Sequence, residues 1–450
     1  MPPRQDTTPR LPPRGAFPDD FVFGAATSSY QIEGSGFGGC GRSHWDDFAA
    51  AGNTRDGADG SVACAHILHW ERDLDLVKNA GFDAYRFSFS WPRIQPAGRG
   101  ALNAEGVSFY DRLIDGMLSR GLLPFASLYH WDLPSSLAVA GGWRERDTAY
   151  RFGDFTDIVM RHFGDRLHSV ATINEPWCAA WLSHYWGEHA PGMRDLVATA
   201  RAMHYILLAH GVSLSVMRDY GHGNLGIVLN KEYGEPADGR EETLTATRLF
   251  DGIYNRWFEE AIFLGHYPAD VLALFGAAMP EGYESDMALI SARLDWAGVN
   301  YYTRSVIELD ADESCVGFRC IRGDLEKTAM GWEVYPEGLG FFLRRLSGEY
   351  APGLPLYVTE NGMSRDDTVV DGEVCDVERV DFLGRHLGEV LGLLSEGVLV
   401  RGYFAWSLLD NYEWSLGYSQ RFGLVHVDFA DQARLPKLSW HKFREMLNSN

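Results

Sequence analysis

The feature of this sequence that most restricts its fold is a rhythm. Short apolar runs recur at Phe21–Ala26, Ala84–Phe89, Pro124–Tyr129, Val170–Ile173, Leu225–Leu229, Trp296–Val299, Leu356–Thr359 and Val400–Phe404. Stretches with helical periodicity fall between them, at Ile67–Asn79, Ser108–Arg120, Tyr150–Phe163, Asp195–Arg218, Leu339–Tyr350 and Val377–Ser395. Runs this continuously apolar suit strands that are covered on both faces, as in a parallel sheet wrapped by helices. Eight such strands alternating with helices predict the α/β class and a closed (β/α)8 TIM barrel. A length of 450 residues is long for one domain, but barrels run long. No interdomain linker interrupts the rhythm. The organisation expected is a flexible N-terminal arm over residues 1–16 and one barrel domain over residues 17–450. The stretches Gly34–Ala63 and Ile307–Gly331 read as long irregular loops, which on a barrel rim would wall a pocket.

Composition narrows the partners. Acidic residues number 62 against 40 basic ones, a net charge of −22, which repels phosphate backbones and argues against nucleic acid. No apolar window is long enough to span a membrane, and the Pro- and Arg-rich start, Met1 to Pro18, has no signal-peptide core. The six cysteines form no paired Cys-x-x-Cys set, so free thiols in a reducing, cytoplasmic setting are expected, with a local Cys315–Cys320 bridge left open. Cys178 reads as a buried thiol, and Arg42, His44 and Asp46 as loop packing. His66 and His69 share a helical face but lack further ligands, and no phosphate-binding glycine loop occurs. Neither a metal nor a cofactor is expected. The oligomeric state is open, a homo-oligomer included.

Polar and aromatic residues gather where the apolar runs end. Gln31 follows the first run and Arg86 lies in the second; His130 and Trp131 follow the third. Asn174 and Glu175 close the fourth, Asn230 the fifth, and Asn300, Tyr301 and Tyr302 follow the sixth. Glu360 and Asn361 close the seventh, and Trp406 follows the eighth. In a (β/α)8 barrel all these ends share the rim that carries chemistry. Two of the clusters, Thr172-Ile173-Asn174-Glu175-Pro176 and Val358-Thr359-Glu360-Asn361-Gly362, each place a carboxylate just after an apolar run. Two rigidly held carboxylates facing each other are what glycoside hydrolysis needs: one protonates the leaving oxygen, the other attacks or activates water. Spacing alone leaves retention and inversion both open. A single glutamate at such a place reads more readily as a surface salt bridge or a cap; the pair, each beside an asparagine, favours the site.

Seven motifs in order then resemble family 1 of the glycoside hydrolases, the β-glucosidase/β-galactosidase group. They run from the segment Phe21–Gly34, through Tyr85-Arg86-Phe87-Ser88, Tyr129-His130-Trp131-Asp132-Leu133-Pro134 and Asn174-Glu175-Pro176, to Asn300-Tyr301-Tyr302-Thr303 and Thr359-Glu360-Asn361-Gly362. The last spans Trp406 to Trp414 and is followed by Arg421-Phe422-Gly423-Leu424. The resemblance implies a retaining O-glycosidase with Glu175 as acid/base and Glu360 as nucleophile. It implies that Gln31, His130, Asn174, Glu413 and Trp414 hold sugar hydroxyls, with Trp406 as a platform under the ring. Asn300 and Tyr302 belong to the same substrate-binding set, Arg86 and Tyr302 orient the nucleophile and lower its pKa, and Trp332 walls the aglycone side. The branch acting on 6-phosphorylated sugars carries Ser where this chain has Glu413, so an unphosphorylated sugar is expected. The expected activity is hydrolysis of terminal β-D-glucosyl residues from small β-glucosides or short cello-oligosaccharides. A β-galactosidase, β-fucosidase or β-mannosidase of the same mechanism is the alternative within the class, and a non-catalytic sugar-binding barrel the alternative outside it.

Overall fold

The computed structural model of the chain describes residues 9–310 and 316–449. Every apolar run of the sequence is a strand: β1 (Val22–Ala26), β2 (Ala84–Ser88), β3 (Leu123–Tyr129), β4 (Ser169–Asn174), β5 (Leu225–Pro236), β6 (Trp296–Leu309), β8 (Leu356–Asn361) and β9 (Val400–Trp406), with a short β7 (Phe318–Ile321) inserted. The sheet order is β5-β4-β3-β2-β1-β9-β8-β6, and β5 also pairs with β6, which closes the barrel. All eight barrel pairings are parallel. The intervening helices bury one face on the strands. His66–Ala80, for example, buries Leu74, Val77 and Ala80 and stops at Gly81, whose left-handed φ of 90° few other residues tolerate.

The barrel interior is filled rather than open. Phe125, Trp296, Tyr357 and Phe404 pack there with the small residues Ala26, Ala84 and Ala171. Small residues on the strands make room for these rings. A Cβ on Gly24 would lie 2.3 Å from the Phe404 ring, and one on Gly226 would lie 2.4 Å from the Trp296 indole. The lower barrel is therefore a plug of rings, and open space begins only at the C-terminal strand ends.

Two stretches differ from the sequence expectation. Within Gly34–Ala63 lies the helix His44–Ala50, started by a capping box in which Ser43 and Asp46 satisfy each other's backbone N–H groups. Within Ile307–Gly331, β6 runs on to Leu309 and pairs antiparallel with β7, while β5 accompanies β6 as far as the Pro236–Ile307 pair. That ribbon rises above the rim, and its polar residues disguised it as loop. At the other end, Arg14 donates to the carbonyls of Pro18, Asp19 and Phe21, so this part of the expected arm is tied to the body. Residues 1–8 of the arm, and Cys315 of the suggested Cys315–Cys320 pair, lie outside the described residues. Among the described residues no single helix is long and apolar enough to cross a membrane.

Candidate active site

Strand β4 ends at Asn174, and Glu175 follows with a left-handed φ of 49°. The β4–β5 register shifts between Ala171 and Asn174, and the β8–β9 register shifts between Val358 and Asn361. Such irregularities re-aim side chains, here at both strand ends that carry a carboxylate. Trp131 and Trp414 also hold positive φ, at 79° and 49°. Three non-glycine residues in this sparsely populated region around one cavity is the kind of clustering found at functional sites. Gly362, which follows Asn361, admits no side chain, because a Cβ would stand 1.8 Å from the Trp406 carbonyl oxygen.

Hydrogen bonds tie the rim into one network. Arg86 Nη1 donates to Glu360 Oε1 at 2.5 Å, and Arg86 Nη2 donates to Asn174 Oδ1 at 2.6 Å. The Tyr302 hydroxyl donates to Glu360 Oε2 at 2.6 Å. Glu175 Oε1 accepts from Asn300 Nδ2 at 2.7 Å, and Oε2 accepts from the Cys178 thiol at 3.1 Å. Asn174 Nδ2 donates to His130 Nε2 at 3.1 Å, which leaves the ring proton on Nδ1. That buried Nδ1 has no protein partner, and burial holds the imidazole neutral by pushing its pKa well below the usual value. Gln31 Nε2 donates to Asn411 Oδ1 at 3.0 Å and to the Tyr412 carbonyl at 2.9 Å, and reaches Glu413 Oε2 at 3.4 Å.

The two carboxyl groups are buried alike and partnered differently. Burial and the charge of Glu360 push Glu175 up to about 8. Glu360 is also raised by burial, against the pull of Arg86 and Tyr302. The sequence expectation that these two would leave Glu360 with a lowered pKa is corrected: they do lower it, but desolvation is the larger cause. Glu360 nonetheless has a guanidinium and a phenol on its oxygens, whereas Glu175 has only an amide and a thiol. Of the pair, Glu360 therefore ionises first and Glu175 keeps its proton. Glu413 is a third buried carboxyl, pushed up to about 8 by burial and by the charges of Glu360 and Glu175.

A cavity of about 310 Å³ opens above the network. Of the residues expected from sequence, His130, Glu175, Tyr302, Trp332, Glu360, Trp406, Glu413 and Trp414 line it. Arg86, Gln31, Asn174 and Asn300 stand behind the lining, fully or almost fully buried. Asn300, expected among the substrate-binding set, has its amide engaged by protein: Nδ2 serves Glu175 and Asn174, and Oδ1 accepts from Thr359 at 2.7 Å. Its site here is beside the carboxylates rather than in the open space. The His130 ring lies nearly parallel to Trp406 at 5.8 Å and 19°, and Trp131 tilts against Trp414 at 4.6 Å. The outer wall was foreseen only in Trp332 and in the stretch that carries Met330. Trp177, Trp186, Tyr254 and Phe422, which also belong to it, were given no role. Asn230, noted at the end of the fifth run but given no role, also lines the space.

A polar, buried pair of carboxylates at the mouth of a plugged barrel, flanked by donors and aromatic faces, is suited to acetal chemistry on a sugar. Comparison with known proteins bears on this directly. Residues 13–450 match the model of glycosyl hydrolase family 1. The chain is 43% identical over 440 residues to beta-glucosidase A of Thermotoga maritima, covering 96% of this chain and 98% of that protein. It is 46% identical over 433 residues to a beta-glucosidase of Agrobacterium sp., covering 94% of this chain and 93% of that protein. The solved structure of the Thermotoga maritima family 1 enzyme in complex with isofagomine lactam superposes with a TM-score of 0.93 at 42% identity, over 98% of this chain and 99% of that one. This chain belongs to glycosyl hydrolase family 1.

Proposed function

We propose that the chain is a retaining β-glucosidase that removes terminal β-D-glucosyl residues from small β-glucosides and short cello-oligosaccharides. The observation that carries this reading is the unequal treatment of two neighbouring carboxyls. Glu360, with Arg86 at 2.5 Å and Tyr302 at 2.6 Å, is held as an aligned carboxylate. Glu175, pushed up to about 8, keeps a proton to give. In the first step Glu175 protonates the glycosidic oxygen while Glu360 attacks C1 and the C1–O bond breaks, leaving a glycosyl ester on Glu360. In the second, Glu175 takes a proton from water, the water oxygen attacks C1, and Glu360 is released.

The remaining groups suit a sugar ring. His130 Nδ1 is a buried donor without a protein partner, Glu413 is an acceptor for paired hydroxyls, and Trp406 offers a face to ring C–H groups. Gln31 and Asn174 fix Glu413 and His130 from behind. Trp332, which packs against Tyr302 at 5.6 Å, is placed for the leaving-group side. The carboxyl of Glu413 occupies the region a phosphate would need, which supports an unphosphorylated sugar. The names of the relatives favour glucose. A reducing, cytoplasmic setting agrees with the unpaired thiols of Cys64 and Cys178.

The test is the stereochemistry of hydrolysis of an aryl β-D-glucoside, followed by proton NMR from the first minute. β-Glucose forms first and mutarotates later. α-Glucose as the first product overturns the double displacement, and no turnover of any β-glycoside returns the chain to the sugar-binding alternative.

A further inference from the structure

The two oxygens of Glu175 face donors of unequal kind. Oε1 takes the Asn300 amide at 2.7 Å, Oε2 the Cys178 thiol at 3.1 Å. Asn300 is locked: it is fully buried, its other amide contact is Asn174 Oδ1 at 3.1 Å, and its carbonyl accepts from Thr359. It cannot flip to offer Glu175 an acceptor, so Oε1 keeps a fixed N–H donor whether or not Glu175 is protonated. Cys178 is different. It opens the π-helical segment Cys178–Trp186 and lines the cavity together with Glu175. A thiol donates weakly, also accepts weakly, and turns freely about its Cβ–S bond. A proton on Oε2 displaces only this soft partner, which itself lines the cavity.

Resting on the acid/base role of Glu175, we propose that Cys178 is a positioning residue for its proton: the thiol makes Oε2 the oxygen that carries and delivers the proton. The S–H bond to Oε2 is withdrawn while Glu175 is an acid and restored while it is a base, so that neither state is locked. The thiol can do this only if it stays protonated. Burial and the carboxyls of Glu175, Glu360 and Glu232 hold it well above the usual thiol range, so it is a donor and not a nucleophile. The charged and titratable groups that share this environment are Arg86 from β2, Tyr302 from β6, Glu360 from β8, Glu232 from β5, Tyr254 from the π-helical segment Gly252–Arg256 and Glu413 from the segment after β9. None of them is bonded to Oε2, so a change at residue 178 acts on that oxygen first.

The experiment is the pH profile of kcat/KM on an alkyl β-glucoside, whose leaving group needs the proton, for the parent, Cys178→Ser and Cys178→Ala. A hydroxyl is the stronger donor and favours the ionised carboxylate; the upper limb of Cys178→Ser moves to lower pH by about half a unit. Cys178→Ala removes the donor, and the limb moves to higher pH. Loss of packing alone would lower the whole curve without moving the limb. Coincident limbs in all three proteins, or shifts in the same direction for Ser and Ala, overturn the proposal. If the alanine protein does not fold, the serine protein decides, since an unmoved or raised limb overturns it. Glu175→Gln is measured beside them and loses the upper limb. If that limb persists in Glu175→Gln, the acid/base assignment fails instead.

Discussion

On its barrel side the cavity is built from Arg86, Asn174, Asn300, Tyr302 and Glu360, side chains borne by strands and hydrogen-bonded to one another. On its open side it is built from Trp177, Trp186, Tyr254, Met330 and Phe422, carried by loops and π-helical segments and held by ring packing. Trp177 stacks on Tyr254 at 3.7 Å, and Phe422 approaches Trp332 at 6.0 Å. The inner half is a polar network in a dry place, where removing one partner strands the others. The outer half is apolar area, where each ring contributes roughly in proportion to what it covers. Under the proposed function, chemistry falls to the polar inner groups and choice of leaving group to the apolar outer ones.

The sharpest way to break this contrast is at the centre of the inner half. Glu360→Gly removes the nucleophile and leaves the barrel core untouched. Turnover of aryl β-glucosides should fall by about 10⁴-fold or more. Azide or formate added to the variant should restore part of the reaction and give an α-configured product, read by NMR. Near-normal turnover without an added anion would remove Glu360 from the mechanism.

Glu413→Ser tests the same half one step from the reacting carbon. It deletes a carboxyl acceptor that Gln31 Nε2 approaches at 3.4 Å. Losing the paired hydrogen bonds to two hydroxyls should cut kcat/KM on nitrophenyl β-glucoside by roughly 10²-fold. The same change should narrow the gap to the 6-phosphoglucoside, because the carboxyl in the place of the phosphate is gone. A variant as active as the parent on the free glucoside would show that Glu413 does not face the sugar.

The same division governs what the sequence could reveal. Glu175 and Glu360 were legible as a pair, because two carboxylates, each beside an asparagine at the end of an apolar β-branched run, fall on one rim, and the strand below fixes where each points. Tyr254 and Trp177 were not, because an aromatic within a helical apolar pattern such as Phe250, Tyr254, Trp257 and Phe258 looks identical to core. Only the π-helical turns at Gly252–Arg256 and Glu260–Leu264, invisible in periodicity, belong to the segment that brings Tyr254 to the cavity. The barrel strands were legible as apolar runs, but the ends of β5 and β6 were not. There Lys231, Glu232 and Glu235 give the ribbon a loop-like composition, while its pairing with the neighbouring strand supplies the stability. The direction of the Glu360 shift was missed for a related reason: sequence names the partners Arg86 and Tyr302, whereas the depth of burial that outweighs them is a property of the packed rim.

The smallest effect is expected in the outer half, and it has a particular shape. Tyr254 is fixed from two sides: its ring stacks on Trp177 at 3.7 Å, and its hydroxyl lies beside the half-buried carboxyl of Glu232. Glu232 is in turn bonded to Ser305, and burial pushes it up to about 7. Tyr254→Ala removes one face of the outer wall and lets Trp177, two residues from Glu175, lean into the space. Losing one stacked pair should cost about 3- to 10-fold in kcat/KM for a bulky aglycone or a cello-oligosaccharide. The methyl glucoside, which hardly reaches that wall, should change by less than about 2-fold. Inhibition by a glucose-shaped compound with no aglycone, measured as a Ki, should be unmoved, because none of its partners lies on the outer side. An equal loss for methyl and bulky glucosides, with a weakened Ki, would mean that the stack supports the inner network. The two halves would then not be separable.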